Sequence, residues 1–188
     1  MGMPNLANTW TREEVLAIPD DGNRYELVDG ELLVSPAPRL IHQAGVLGLF
    51  RMVDPYVSQN KLGLLMLAPA DLDLRSRQLV QPDLFVVPAV AGRRPARWED
   101  CGIPILIAEV LSPSTARQDR ITKRRRYQRS GVPVYWAVDL DTRLVEVWAP
   151  GDDKPAIVDR SLIWRPAGAA PALIIDLPEY FQKAWAEE

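Results

Sequence analysis

ILIAEVLSPSTARQDRITKRRRYQRSGVPVYWAVD, residues Ile105 to Asp139, is the stretch on which the reading of this chain turns. It opens as an apolar run broken by one carboxylate, Glu109, and closes that run at Ser112-Pro113. A strongly basic segment containing Lys123 follows, and then a second apolar run, Val134 to Val138, ending at Asp139. Continuous apolar runs of this length suit strands buried on both faces. An ionised carboxylate inside such a run is costly without a positive neighbour. Either Glu109 meets a cationic partner at the sheet's edge, or it helps to hold a metal ion.

The elements on either side are legible from local chemistry. Thr11 to Glu14 has the pattern of a capping box and predicts a short helix to about Ala17, stopped by Pro19. Two β-rich runs, Arg24–Val28 and Glu31–Val34, flank Asp29-Gly30 and predict an N-terminal β-hairpin. Arg39 to Gln59 predicts the longest amphipathic helix, with Pro55 limiting or kinking its end. Strands are expected over Leu62–Leu74, Val80–Val87, Arg143–Trp148 and Lys154–Ile163, with a turn at residues 75–77 and a loop around Trp98. The tail predicts a short extended segment, Ala172–Ile175, and a helix from Pro178. Strands alternating with substantial helices indicate an α/β (α+β-like) mixed sheet.

Composition bounds the function. A length of 188 residues suits one domain, 1–188, with a core over about 24–148 and a C-terminal strand and helix extension over 149–188. No apolar run reaches the roughly 20 residues of a membrane span. One cysteine, Cys101, excludes an internal disulfide, and the expected location is cytoplasmic. A net charge of −3 argues against a protein that coats nucleic acid, although a local basic patch is compatible with it.

Asp83 and Glu109 each sit on a strand-like run. On neighbouring strands they can converge at one end of a sheet, where Mg2+ is the natural counter-charge. The plainer alternative has Asp83 capping a turn after Pro82 and Glu109 paired with an arginine. Arg117 to Arg129 carries seven cations against one acid, Asp119, with Lys123 and Tyr127 on one helix face and Asp119 a turn earlier. This is either a helix facing a polyanion or a solvated charged face. His42, the only histidine, reads as a polar residue near a helix start, and Glu26 as an exposed strand carboxylate. Neither a phosphate-binding glycine loop, a zinc spacing nor a serine-hydrolase constellation is present.

The succession Arg24-Tyr25-Glu26-Leu27-Val28-Asp29-Gly30-Glu31, Ser35-Pro36-Ala37-Pro38 with His42-Gln43, Gln81-Pro82-Asp83, Glu109 to Thr115, then Asp119, Lys123, Tyr127, Gly131-Val132-Pro133 and Tyr135 to Asp139 resembles the Uma-two family of restriction endonucleases, within the PD-(D/E)XK nuclease superfamily. The resemblance spans Arg24 to Trp148 and implies a restriction-endonuclease-like mixed sheet flanked by helices. It further implies an Mg2+-dependent DNA endonuclease, with Mn2+ able to substitute, leaving a 5′-phosphate and a 3′-hydroxyl. By this resemblance Asp83 and Glu109 bind the metal with the Val110 backbone carbonyl, and Lys123 aligns or activates water. The usual E-x-K spacing fails, since Leu111 stands at the lysine position and Lys123 on the next helix is the match. Glu26 and His42 match positions near the site. Arg117, Arg120, Arg124 and Arg126 are the expected nucleic-acid contacts, and a homodimer is expected by analogy. A non-catalytic nucleic-acid or partner-binding module that retains the fold is the alternative.

Overall fold

Thr11 begins the described chain's first helix as the capping pattern requires. Its Oγ1 accepts from the Glu14 N–H at 3.2 Å, and its own N–H donates to Glu14 Oε2 at 2.8 Å, which fixes α1 (Arg12–Leu16). The computed structural model describes residues 9–74, 79–166 and 171–186; the turn expected at 75–77 lies outside them. β1 (Arg24–Val28) and β2 (Glu31–Ser35) form the antiparallel hairpin. Asp29 and Gly30 both have positive φ, 51° and 85°, as a tight primed turn demands. α2 (Leu40–Gln59) runs on past Pro55, so that proline does not end it.

Six strands make the central sheet: β3 (Gly63–Leu67), β4 (Leu84–Pro88), β5 (Leu106–Val110), β6 (Tyr135–Asp139), β7 (Leu144–Trp148) and β8 (Ala156–Val158). They lie side by side in sequence order, and only the β5–β6 pair is parallel. A parallel pair needs a long crossover, and here that crossover is the basic segment. A π-helical stretch, Gln118–Lys123, runs directly into α3 (Arg124–Arg129). β9 (Ser161–Trp164) and β10 (Leu173–Asp176) form a separate two-stranded sheet before α4 (Leu177–Ala184).

Three strand expectations change. The Leu62–Leu74 run is a strand only over Gly63–Leu67. The next begins at Leu84 and not Val80, because Pro82 has no N–H to contribute to a ladder. Lys154–Ile163 is two strands, β8 and β9, in different sheets.

The period of two along each strand sorts the core into two layers. Leu84, Val86, Ala108, Val110, Trp136 and Val138 face α2 and α4. Phe85, Val87, Ile107, Tyr135 and Ala137 face the other way, toward Tyr127 of α3 and Val28 and Leu33 of the hairpin. The tail belongs to the first layer, through Leu162, Trp164, Ile175 and Tyr180. Gly45 and Gly48 let α4 come close: the Tyr180 hydroxyl donates to the Gly45 carbonyl at 3.0 Å, and a Cβ at position 48 would lie 3.0 Å from the Tyr180 ring. Among the described residues no helix is long and apolar enough to cross a membrane.

Candidate active site

Strand parity decides where the carboxylates go. Leu84 pairs with Ala108, so Asp83 stands across from Glu109 at the end of the β4–β5 ladder. Both are odd-numbered, like Phe85 and Ile107, and belong to the sheet face that carries α3 and the hairpin. The Asp83 N–H donates to Glu109 Oε2 at 3.2 Å, and the Val110 N–H donates to Asp83 Oδ2 at 2.9 Å. Arg24 Nη1 reaches Asp83 Oδ1 at 3.0 Å, and His42 Nε2 lies 3.0 Å from Asp83 Oδ2.

Lys123 enters this face from the π-helical stretch and is buried completely. Its Nζ lies 2.8 Å from Glu26 Oε2, 3.1 Å from Glu109 Oε1 and 3.2 Å from Asp119 Oδ1. Tyr127, one turn on, donates its hydroxyl to Glu109 Oε1 at 2.8 Å. Glu26 Oε1 accepts from the Gln81 N–H at 2.8 Å, which ties the hairpin to the segment leading into β4. Tyr135 braces the helix by donating to the Asp119 carbonyl at 3.1 Å. Stretches of π-helix occur mostly as single-turn bulges, frequently at functional sites, and this one carries both Asp119 and Lys123.

Four buried acids, Glu26, Asp83, Glu109 and Asp119, thus gather around Arg24, Lys123 and His42. Their protonation preferences diverge. Burial, reinforced by Asp83, Asp119 and Glu26 and opposed by Lys123, pushes Glu109 well above the usual carboxylate range. Burial raises Asp119 too, against the pull of Lys123 and a hydrogen bond from Thr115. Burial also works against an ionised Asp83, but His42, Arg24 and Lys123 outweigh it and hold Asp83 below its ordinary value. Lys123 loses solvation on burial, yet Glu109, Glu26 and Asp119 more than compensate and raise it well above an ordinary lysine.

Asp83, Arg24 and His42 form the inner end of a cleft of about 830 Å3. Its walls come from α1, the hairpin, the start of α2 and the Ser112–Thr115 segment that follows β5. Glu109, Lys123, Glu26 and Asp119 lie behind that surface. Among the described residues no group of three or more His, Cys, Asp or Glu side chains forms a ready metal cage.

A family model described as "Putative restriction endonuclease" matches residues 12–159. The chain belongs to the Uma-two family. Its fold is similar to the crystal structure of a "putative nuclease belonging to DUF820" from Anabaena variabilis, at a TM-score of 0.71 and 20% identity, covering 93% of this chain and 99% of that one. No curated protein matches the sequence significantly. The Uma-two assignment points to a nuclease of restriction-endonuclease-like type, and hence to DNA as substrate.

Within the Uma-two frame, the structure brings Asp83, Glu109, Lys123, Glu26 and His42 together. Glu26 is not an exposed strand carboxylate, as its isolated position suggested. It is fully buried, because the hairpin lays β1 against the segment before β4. His42 is more than a polar residue near a helix start, being buried against Asp83. The four arginines fall elsewhere. Arg120 is held by Asp139 at 2.8 Å and Glu146 at 2.6 Å, and Arg124 lies over the Trp148 ring at 4.3 Å. Arg126 donates to the Leu74 carbonyl at 2.8 Å, and none of the four, Arg117 included, lines the cleft. Asp119, Arg24, Tyr127 and Tyr135 belong to the site without having been singled out for it. The helical spacing of Asp119, Lys123 and Tyr127 was the available signal for two of them; Arg24 and Tyr135 stood only among the residues that carry the family resemblance, with no role attached.

Proposed function

We propose that this Uma-two protein is a metal-dependent endonuclease hydrolysing DNA phosphodiester bonds, with Asp83 and Glu109 as metal ligands and Lys123 as the catalytic cation. The observation that carries this reading is the pairing of two facing carboxylates with a wholly buried ammonium group shared among Glu26, Glu109 and Asp119. The donor set, carboxylate oxygens of Asp83 and Glu109 side by side, suits a hard divalent ion such as Mg2+, with Mn2+ as substitute. Asp83 and Glu109 would hold the ion with the Val110 carbonyl, and Arg24 and His42, which line the cleft, would give way at Asp83. When bound, the ion supplies Lewis-acid polarisation of the scissile phosphate.

The chain's own groups do the rest. Lys123 keeps a fixed positive charge beside Glu109 and aligns the attacking water, while Tyr127 fixes the Glu109 carboxylate. Glu26 and Asp119 hold the ammonium in place, and His42 and Arg24 hold Asp83 in position until the ion takes their place. Any contribution of Arg117, Arg120, Arg124 and Arg126 to DNA binding would come from outside the cleft. The protein would work as one nuclease-like domain over 1–188, in the cytoplasm, as a homodimer. What supports the dimer is the exposed Ile163–Ile174 pair, directly opposed on β9 and β10.

A second reading has its own observation. Every oxygen of Asp83 and Glu109 already has a partner within the chain, which suits a module that keeps the fold and binds nucleic acid or a partner without cutting. Supercoiled plasmid incubated with Mg2+ separates the two. The nuclease reading expects nicking by wild type that EDTA abolishes and that both Asp83→Ala and Lys123→Ala lose. Equal residual cutting by all three proteins would mean a contaminant and end the nuclease reading.

A further inference from the structure

The cleft that ends at Asp83 is built unlike a surface that grips a ladder of phosphates. Leu16, Ile18 and Pro19 form one wall, and Tyr25, Pro36 and Pro38 contribute another. Arg24 and Arg39 are the arginines lining it among the described residues, and Arg24 is already held by Asp83. Duplex binding proteins neutralise rows of phosphates with exposed cations, whereas the arginines of the crossover helix lie away from the cleft. The volume, about 830 Å3, falls within the roughly 300–1,000 Å3 of pockets that enclose a small organic ligand.

His42 supplies an independent observation. It is only 8% exposed and lines the cleft, and its Nε2 is taken by Asp83 while its Nδ1 has no partner among the described residues. A buried polar atom is ordinarily satisfied, so Nδ1, itself closed off from solvent, leaves His42 with an unmet hydrogen bond that a ligand's polar edge in the cleft completes once the ring tips toward it. An apolar wall beside such an atom matches a nucleobase, which offers a stacking face and hydrogen-bonding edges.

We infer that the cleft takes an unpaired DNA strand, with one base against the Leu16–Pro19 and Tyr25 walls and its edge on His42. The adjoining phosphate then lies at Arg39, at the cleft's outer rim, and the strand runs inward toward Asp83. This rests on the nuclease reading and narrows it to substrates that are single-stranded or locally opened.

The test is fluorescence anisotropy in EDTA with a labelled 12-nucleotide oligo-dT and a 12-base-pair duplex, followed by Mg2+-dependent cleavage of both. Two exposed lining positions give variants that spare the fold: Leu16→Glu and Arg39→Ala. Stacking and a lost phosphate contact predict that the single strand binds about tenfold or more tighter than the duplex, and that each variant loses about tenfold on the single strand. Duplex bound as tightly as the single strand, or single-strand binding unmoved by both variants, overturns the inference. If the duplex is then cut with Mg2+, the nuclease reading survives it. Neither oligonucleotide bound and neither cut overturns both.

Discussion

Lys123 has one side chain's worth of charge and three acids around it, and that imbalance governs what its removal does. Truncating one partner of a buried ionic cluster leaves the others desolvated and unpaired, at a cost of about 3–5 kcal/mol. Lys123→Ala is therefore expected to lose that much stability, read as a lower urea midpoint at unchanged m value. The pH dependence has a definite sign. The folded-state value of Lys123 lies above the ordinary lysine value of about 10.4. Its stabilisation is thus complete below about pH 10.4 and is lost as pH rises from there through the folded value. The stability gap between wild type and Lys123→Met should not shrink from pH 7 to about 10, because the buried acids deprived of their cation ionise only with more difficulty, and it should shrink above that range. A gap that shrinks steadily from pH 7 would contradict the raised value. Residue chemistry was partly legible in sequence. A lone acid in a strand announced a partner, but nothing local said that Glu26, eighty-odd positions away, would share the lysine.

At the scale of elements, the cleft depends on a helix of five residues held by one cap. Thr11→Ala removes the capping bond and should cost about 1 kcal/mol. The loss should appear as faster hydrogen exchange confined to α1, with the central sheet's protection unchanged. β3 depends instead on a missing side chain. Gly63 has a φ of 153°, and a Cβ there would stand 1.9 Å from the Val87 carbonyl oxygen. Gly63→Ala should destabilise the protein by more than about 2 kcal/mol, measured in urea, because backbone on both strands must shift. Hairpin, caps and the long helix were readable because each is written in neighbouring residues. The division of Lys154–Ile163 into β8 and β9 was not, since Asp159-Arg160 mark a break but nothing local says which sheet will accept each half.

At the scale of the whole molecule, the two layers of core meet on opposite faces of one sheet, and the C-terminal pair β9–β10 leaves its outer side bare. Ile163 and Ile174 are 61% and 65% exposed and face each other in register. If a second copy covers them, Ile174→Lys should convert a dimer to a monomer in sedimentation at micromolar concentration while leaving the urea midpoint, taken at low concentration, within about 0.5 kcal/mol of wild type. A wild type that sediments as a monomer would remove the homodimer from the proposal.

Periodicity, capping patterns and turn residues determined the order and kind of most elements, because those preferences act over a few residues. Two strand-like runs, each carrying one acid, raised the possibility that Asp83 and Glu109 would meet, but the register that sets Leu84 against Ala108, and so both acids on one face, came with the fold. Only the tertiary structure decided that β1 would press Glu26 against Lys123, that His42 and Arg24 would close on Asp83, and that the crossover arginines would turn to Asp139, Glu146 and Trp148. Those contacts join residues far apart in the chain, and their energies depend on burial and distance, which exist only once the sheet, the hairpin and the π-helical crossover have packed together.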